Sequence, residues 1–175
     1  LRTGKGINSR WTPFAKEQAS NLVDVVKRVR YKTAASKYIG STPNTFDITP
    51  NANAFATFIG WYTAEGWIHT DNTIAYIAVK AHGRDESILT DLFDNNAFKY
   101  KRAYYTTKAA KVSPYGIKTP AGYEMVYFSF YSKELCQWLR ENVGASCYTK
   151  RLSSEILGWS SEYLINVWEG FHAGD

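Results

Sequence analysis

At 175 residues the chain is long enough for one sizeable core, or for a smaller domain carrying an N-terminal appendage. A hydrophobic fraction of 45% and an aromatic fraction of 16% exclude an intrinsically disordered polypeptide. The net charge of +5, with a pI near 9.1, suits an anionic partner and equally suits a merely soluble basic protein. No uninterrupted apolar run is long enough to cross a bilayer, and the N-terminus lacks the order of a signal peptide. The expected setting is therefore cytoplasmic, without a membrane partner. Cys136 and Cys147 fit no metal-ligand spacing and read as reduced structural thiols, a disulfide between them being the other option. Leu1 is not an initiator methionine, so the chain reads as part of a longer polypeptide.

In chain order, Thr12 to Lys27 has the pattern of an amphipathic helix, with Pro13 suited to its first turn. Beyond it Arg28, Arg30 and Lys32 belong to a basic run with no acid between Asp24 and Asp47. Such a run is usually a solvated face. Thr42-Pro43-Asn44 and Thr49-Pro50-Asn51 are turn signals around Phe46 and Ile48. A helix is predicted from about Ala52 to Glu65, stopped by Gly66, then a β-branched alternating strand over Thr73 to Ala81. Asp85 to Asn95 has helical spacing. Strands are predicted near Lys99 to Lys108 and Tyr123 to Tyr131, separated by a turn region from Pro114 to Gly122. Glu134 to Asn142 reads as a helix ended by Gly144, and a last helix starts near Ser160 or Ser161. The fold class is α+β: an αββαββα unit followed by one more helix, with residues 1–50 as a basic extension and 51–175 as the main domain.

Two segments carry the functional reading. Phe58 to Gly66 reads Phe-Ile-Gly-Trp-Tyr-Thr-Ala-Glu-Gly, and Trp168 to Asp175 reads Trp-Glu-Gly-Phe-His-Ala-Gly-Asp. Overlaid, they share a glycine (Gly60, Gly170), a small residue four further on (Ala64, Gly174) and then an acid (Glu65, Asp175). On helices, each pair of small residues lies on one face, and two such faces admit close backbone packing. The two carboxylates would then emerge together at helix C-termini, where free carbonyls favour a cation, which is the geometry of a shared divalent-metal site.

The pair of segments resembles the dodecapeptide motifs of LAGLIDADG homing endonucleases, as found in inteins and phage genes. The resemblance covers about Ala52 to Asp175; Thr63 stands where the motif has its first acid, and Glu169 and His172 are unusual in the second copy. It implies a Mg2+-dependent endonuclease that cleaves both strands of a specific DNA site inside a bacterial or phage-infected cell. Glu65 and Asp175 would be the metal ligands and catalytic acids, with Mg2+ as cofactor. The stretch Gly144 to Ser153 is similar to the lysine box of intein endonucleases, which places a catalytic role on Lys150, although Ser153 replaces the box's proline. An ordinary helix-flanking cation is the bland reading of the same lysine.

Between Asp94 and Glu124 there is no acid, while Lys99, Lys101, Arg102, Lys108 and Lys111 alternate with tyrosines. With Lys80, and with Arg28, Arg30 and Lys32 as an arm, these are the expected DNA contacts, Lys99 and Lys101 lining one strand face while Tyr100 packs on the other. Thr106 and Thr107 are candidates for base contacts. A lysine-protected sheet edge explains the same pattern without DNA. Two alternatives stand beside the nuclease: a non-cleaving nucleic-acid-binding module such as an intron maturase, and a fragment that assembles with a second half-domain or partner chain.

Overall fold

The computed structural model of the chain describes residues 39–112, 116 and 118–174. The chain divides into two units, Leu1–Ser36 and Lys37–Asp175, and every described residue belongs to the second. The helix expected over Thr12 to Lys27, the arm residues Arg28, Arg30 and Lys32, and the acid Asp175 lie outside the described residues. The second unit begins earlier than residue 51. Ile48 and Thr49 are buried within it, and the Lys99 N–H donates to the Ile48 carbonyl at 2.7 Å.

Five helices and two antiparallel sheets make a mixed α+β fold among the described residues. Helix α1 spans Ala52–Glu65 because Asn51 caps it, its side chain accepting from the N–H groups of Asn53 and Ala54, and because four alanines cost little helical entropy. At Gly66 the helix passes directly into strand β1, Gly66–Ile68. Strand β2 (Ile74–Lys80) follows, then α2 (Arg84–Asn95) and β3 (Lys101–Thr106). A short hairpin, β4 (Lys111–Val112) with β5 (Lys118–Thr119), precedes β6 (Glu124–Tyr131). Helix α3 (Lys133–Asn142) is capped by Ser132, α4 is the single turn Ser154–Leu157, and α5 spans Ser161–Gly174. None of these helices is long and apolar enough to cross a membrane.

The larger sheet has the order β1-β2-β6-β3 with every neighbour antiparallel. Register separates its two faces. Ala75, Ile77 and Val79 of β2 and Val126, Phe128 and Phe130 of β6 are buried against the helices. Phe58 of α1 meets Phe130 at 4.8 Å between ring centroids, and Phe93 of α2 meets Phe128 at 5.2 Å. Full burial of each such ring contributes roughly 2–3 kcal/mol. Cross-strand partners point to the same side of an antiparallel ladder. The opposite face is therefore carried by Trp67 of β1, by Tyr76, Ala78 and Lys80 of β2, by Tyr127, Ser129 and Tyr131 of β6, and by Lys101, Ala103 and Tyr105 of β3.

Candidate nucleic-acid interface and helix-end site

Helices α1 and α5 pack backbone to backbone. A Cβ added at Gly60 would lie 2.2 Å from the Val167 carbonyl oxygen and 2.5 Å from the Phe171 nitrogen. One added at Gly170 would lie 2.2 Å from the Thr57 carbonyl oxygen. One turn further along, a Cβ on Gly174 would meet Ala64 Cβ at 2.8 Å. Only glycine at the two central positions lets the helix axes come this close. The four residues Gly60, Ala64, Gly170 and Gly174 thus form one seam.

Glu65 sits exposed at the last position of α1. The structure brings Lys150 to it. The loop that delivers this lysine starts at Gly144, whose φ of 108° is open to glycine but not to other residues, and is closed by Thr149, whose Oγ1 accepts from the N–H groups of Ala145 and Ser146. The Tyr62 hydroxyl ties the loop to α1 by donating to the Gly144 carbonyl at 2.9 Å. The Lys150 ammonium then donates to the Tyr62 carbonyl and lies 3.9 Å from the centre of the Tyr62 ring. Burial pushes the Lys150 amine down to about 8, against the opposing pull of the Glu65 charge.

The expectation of a magnesium site is corrected here. Among the described residues no three His, Cys, Asp or Glu side chains come together to hold a metal ion. The helix ends that would attract a cation are served by the protein's own cations: Lys150 takes the Tyr62 carbonyl of α1, and the Arg84 guanidinium donates to the Ala173 carbonyl of α5 at 3.3 Å. Glu65 therefore stands beside an ammonium rather than in a cluster of carboxylates. Asp175, its expected partner, lies outside the described residues.

The basic residues divide between two surfaces. Lys80 and Lys101 are on the open sheet face, where Lys101 Nζ lies 5.0 Å over the Tyr131 ring. Arg102 is on the opposite side of β3: its guanidinium donates to Thr90 of α2 at 3.3 Å, and it lines a cavity of about 340 Å3 with His82, Glu86 and Asp91. Alternation puts Tyr104 on that side too, its hydroxyl 2.5 Å from a Glu86 carboxylate oxygen. Burial would raise the Glu86 carboxyl, but that bond and the one from the His82 N–H outweigh it and hold it low. Lys99 is exposed just before β3, Lys108 just after it, and Lys111 in the small hairpin. Thr107 is turned inward, buried and donating to the Tyr123 carbonyl at 3.0 Å, which removes it from any base contact, while Thr106 is exposed with its hydroxyl donating to Glu124 at 3.2 Å.

The open face is richer in aromatic rings than the run of tyrosines in β3 indicated. Trp67 and Tyr76 stack at 5.3 Å, and Tyr127 stands edge-on to Trp67 at 5.7 Å and to Tyr105 at 6.3 Å. Tyr76, Tyr127 and Tyr131 come from strands whose sequences alternate, so their signal was present in the pattern of β2 and β6. Which parity faced outward needed the helices. Comparison of the chain with protein-family models, with curated proteins and with solved structures returned no match.

Proposed function

We propose that the chain is the DNA-docking half of a LAGLIDADG-type homing endonuclease, which lays the open sheet face on duplex DNA and addresses a backbone phosphate at the end of the paired helices. The observation that carries this reading is the seam between α1 and α5, in which Gly60 and Gly170 each lie against the partner helix's backbone. That seam sits in an α+β setting with a lysine-bearing sheet and with Glu65 and Lys150 together at one end. In this reading Lys80 and Lys101 contact phosphates, with Lys99, Lys108 and Lys111 extending the basic path. Lys150 stabilises the charge that develops on the scissile phosphate, and Glu65 accepts the proton of the attacking water.

One observation favours a second reading, a module that holds nucleic acid without cutting it: the described residues bring no three His, Cys, Asp or Glu side chains together to hold a metal ion. The two are separated by incubating the full chain with a randomised duplex pool and with supercoiled plasmid carrying the sequences it selects. The enzyme reading expects selection of a long site and nicking of the plasmid, with Glu65→Gln keeping the binding and losing the nicking. Selection without nicking by the wild-type chain transfers the proposal to the non-cleaving module. If no duplex in the pool is retained, the DNA assignment is abandoned.

A further inference from the structure

The open face of the four-stranded sheet has an unusual chemistry for a surface that reads paired bases. Reading bases in the major groove relies on guanidinium and carboxamide groups that make paired hydrogen bonds to base edges. The residues whose register puts them on this face include no arginine, asparagine or glutamine, and no carboxylate. They are five aromatic rings, two lysines, and small or aliphatic side chains. Trp67, Tyr76, Tyr127 and Tyr105 run diagonally across all four strands, successive rings lying within 6.3 Å of one another. Tyr131 stands on the other diagonal beneath the Lys101 ammonium. Ala78, Ala103 and Ser129 lie between the rings, Ala78 and Ser129 being buried. Tyr105 and Tyr131 are accessible, at 44% and 55% exposure.

Rings of this kind gain little from a stacked duplex, whose base faces are hidden. They gain from bases that are unstacked, because each base then offers a π-face to an aromatic side chain, and lysines beside the rings neutralise the phosphates that follow. The strands themselves add no carboxylate to the face, and the acid that acts on its edge is Asp71 of the β1–β2 turn, felt at Tyr76 and paired with His69 at 3.0 Å. We infer that the open sheet face takes DNA with locally unpaired bases in preference to intact duplex, the rings of Tyr105, Tyr127 and Tyr131 stacking on bases while Lys80 and Lys101 hold the backbone. The inference rests on the reading of this face as a DNA-docking surface and names the state of the DNA it docks.

The test uses the full chain and three fluorescein-labelled DNAs of about 20 nucleotides per strand: an intact duplex, the same duplex with a central mismatched bubble, and the single strand alone. Fluorescence anisotropy is expected to give tighter binding of the bubble and the single strand than of the duplex, by about tenfold. Tyr105→Ser and Tyr131→Ser are expected to erase that preference while leaving the weaker duplex affinity in place. Their melting temperatures provide the check on folding, since both rings are exposed. Lys101→Ala should weaken all three DNAs by similar factors. Equal affinity for duplex and bubble overturns the inference and leaves duplex docking intact, as does a preference that survives both tyrosine variants. Failure to bind any of the three overturns the docking surface itself.

Discussion

At the scale of single residues the decisive side chain is Lys150. Its ammonium is drawn out of water onto the Tyr62 carbonyl and ring, which lowers its pKa from 10.5 to about 8. The unfolded chain therefore holds this proton over a window, from pH 8 to pH 10.5, in which the folded chain has released it. Stability rises with pH wherever the unfolded state binds more protons. The burial cost of the charged amine is fully present below pH 8 and is relieved as the pH climbs through that window. Relative to Lys150→Met, the wild-type chain should gain stability across it, read as a narrowing difference in melting temperature; a difference independent of pH would remove the buried ammonium from the account. Tyr62 acts on the same site from the other side. Tyr62→Phe keeps the ring under Lys150 but leaves the buried Gly144 carbonyl without its donor, an expected loss of about 1–3 kcal/mol in denaturant unfolding. Lys150 was legible in the sequence through a resemblance alone. Nothing local to Lys150 or Glu65 foretold that the lysine would fill the helix end intended for a metal, because that contact joins segments 88 residues apart.

At the scale of elements, signals that act within a few residues were legible and those that depend on neighbours were not. Asn51 and Gly66 bound α1 where the sequence predicted it, because capping is settled by adjacent groups. The strands β2, β3 and β6 fall inside the ranges predicted from alternation. Strand β1 escaped notice because its three residues follow the helix without a break and are extended only by pairing with β2. The hairpin of β4 and β5 was hidden for the same reason. Alternation placed Lys101 and Arg102 on opposite faces, yet not which of them faced the helices, and Arg102 proved to be the one beside α2. The seam between α1 and α5 makes the sharpest element-level prediction. Gly60→Ala must separate two backbones that are in contact, so a loss on the order of 3 kcal/mol is expected from chemical denaturation. An alanine tolerated without loss would mean that the helices do not meet there in solution.

For the whole molecule, the described residues satisfy every buried side-chain polar atom and hold no three-ligand metal group. EDTA should accordingly leave the melting temperature of the protein and its affinity for duplex DNA unchanged. A drop in either on chelation, restored by adding back a divalent ion, would show that the protein holds a metal which no three-ligand group of the described residues accounts for. If the open face docks DNA as proposed, binding should weaken steeply with salt as the lysines displace condensed counterions, and Lys101→Ala should lower the magnitude of the log–log slope by about 1. A slope unchanged by that substitution would place Lys101 away from the phosphates.

The pairing of Gly60 with Gly170, and of Ser41 with Gly158 across 117 residues, has a bearing on how the chain is made. During synthesis α1 leaves the ribosome long before α5 exists. Its aromatic side can settle on the sheet as soon as β6 arrives, but its glycine groove has no occupant until translation has passed Gly174. Closure of that groove thus follows completion of the four-stranded sheet, and a nascent chain stalled before α5 would display a bare helical backbone to the chaperones around it.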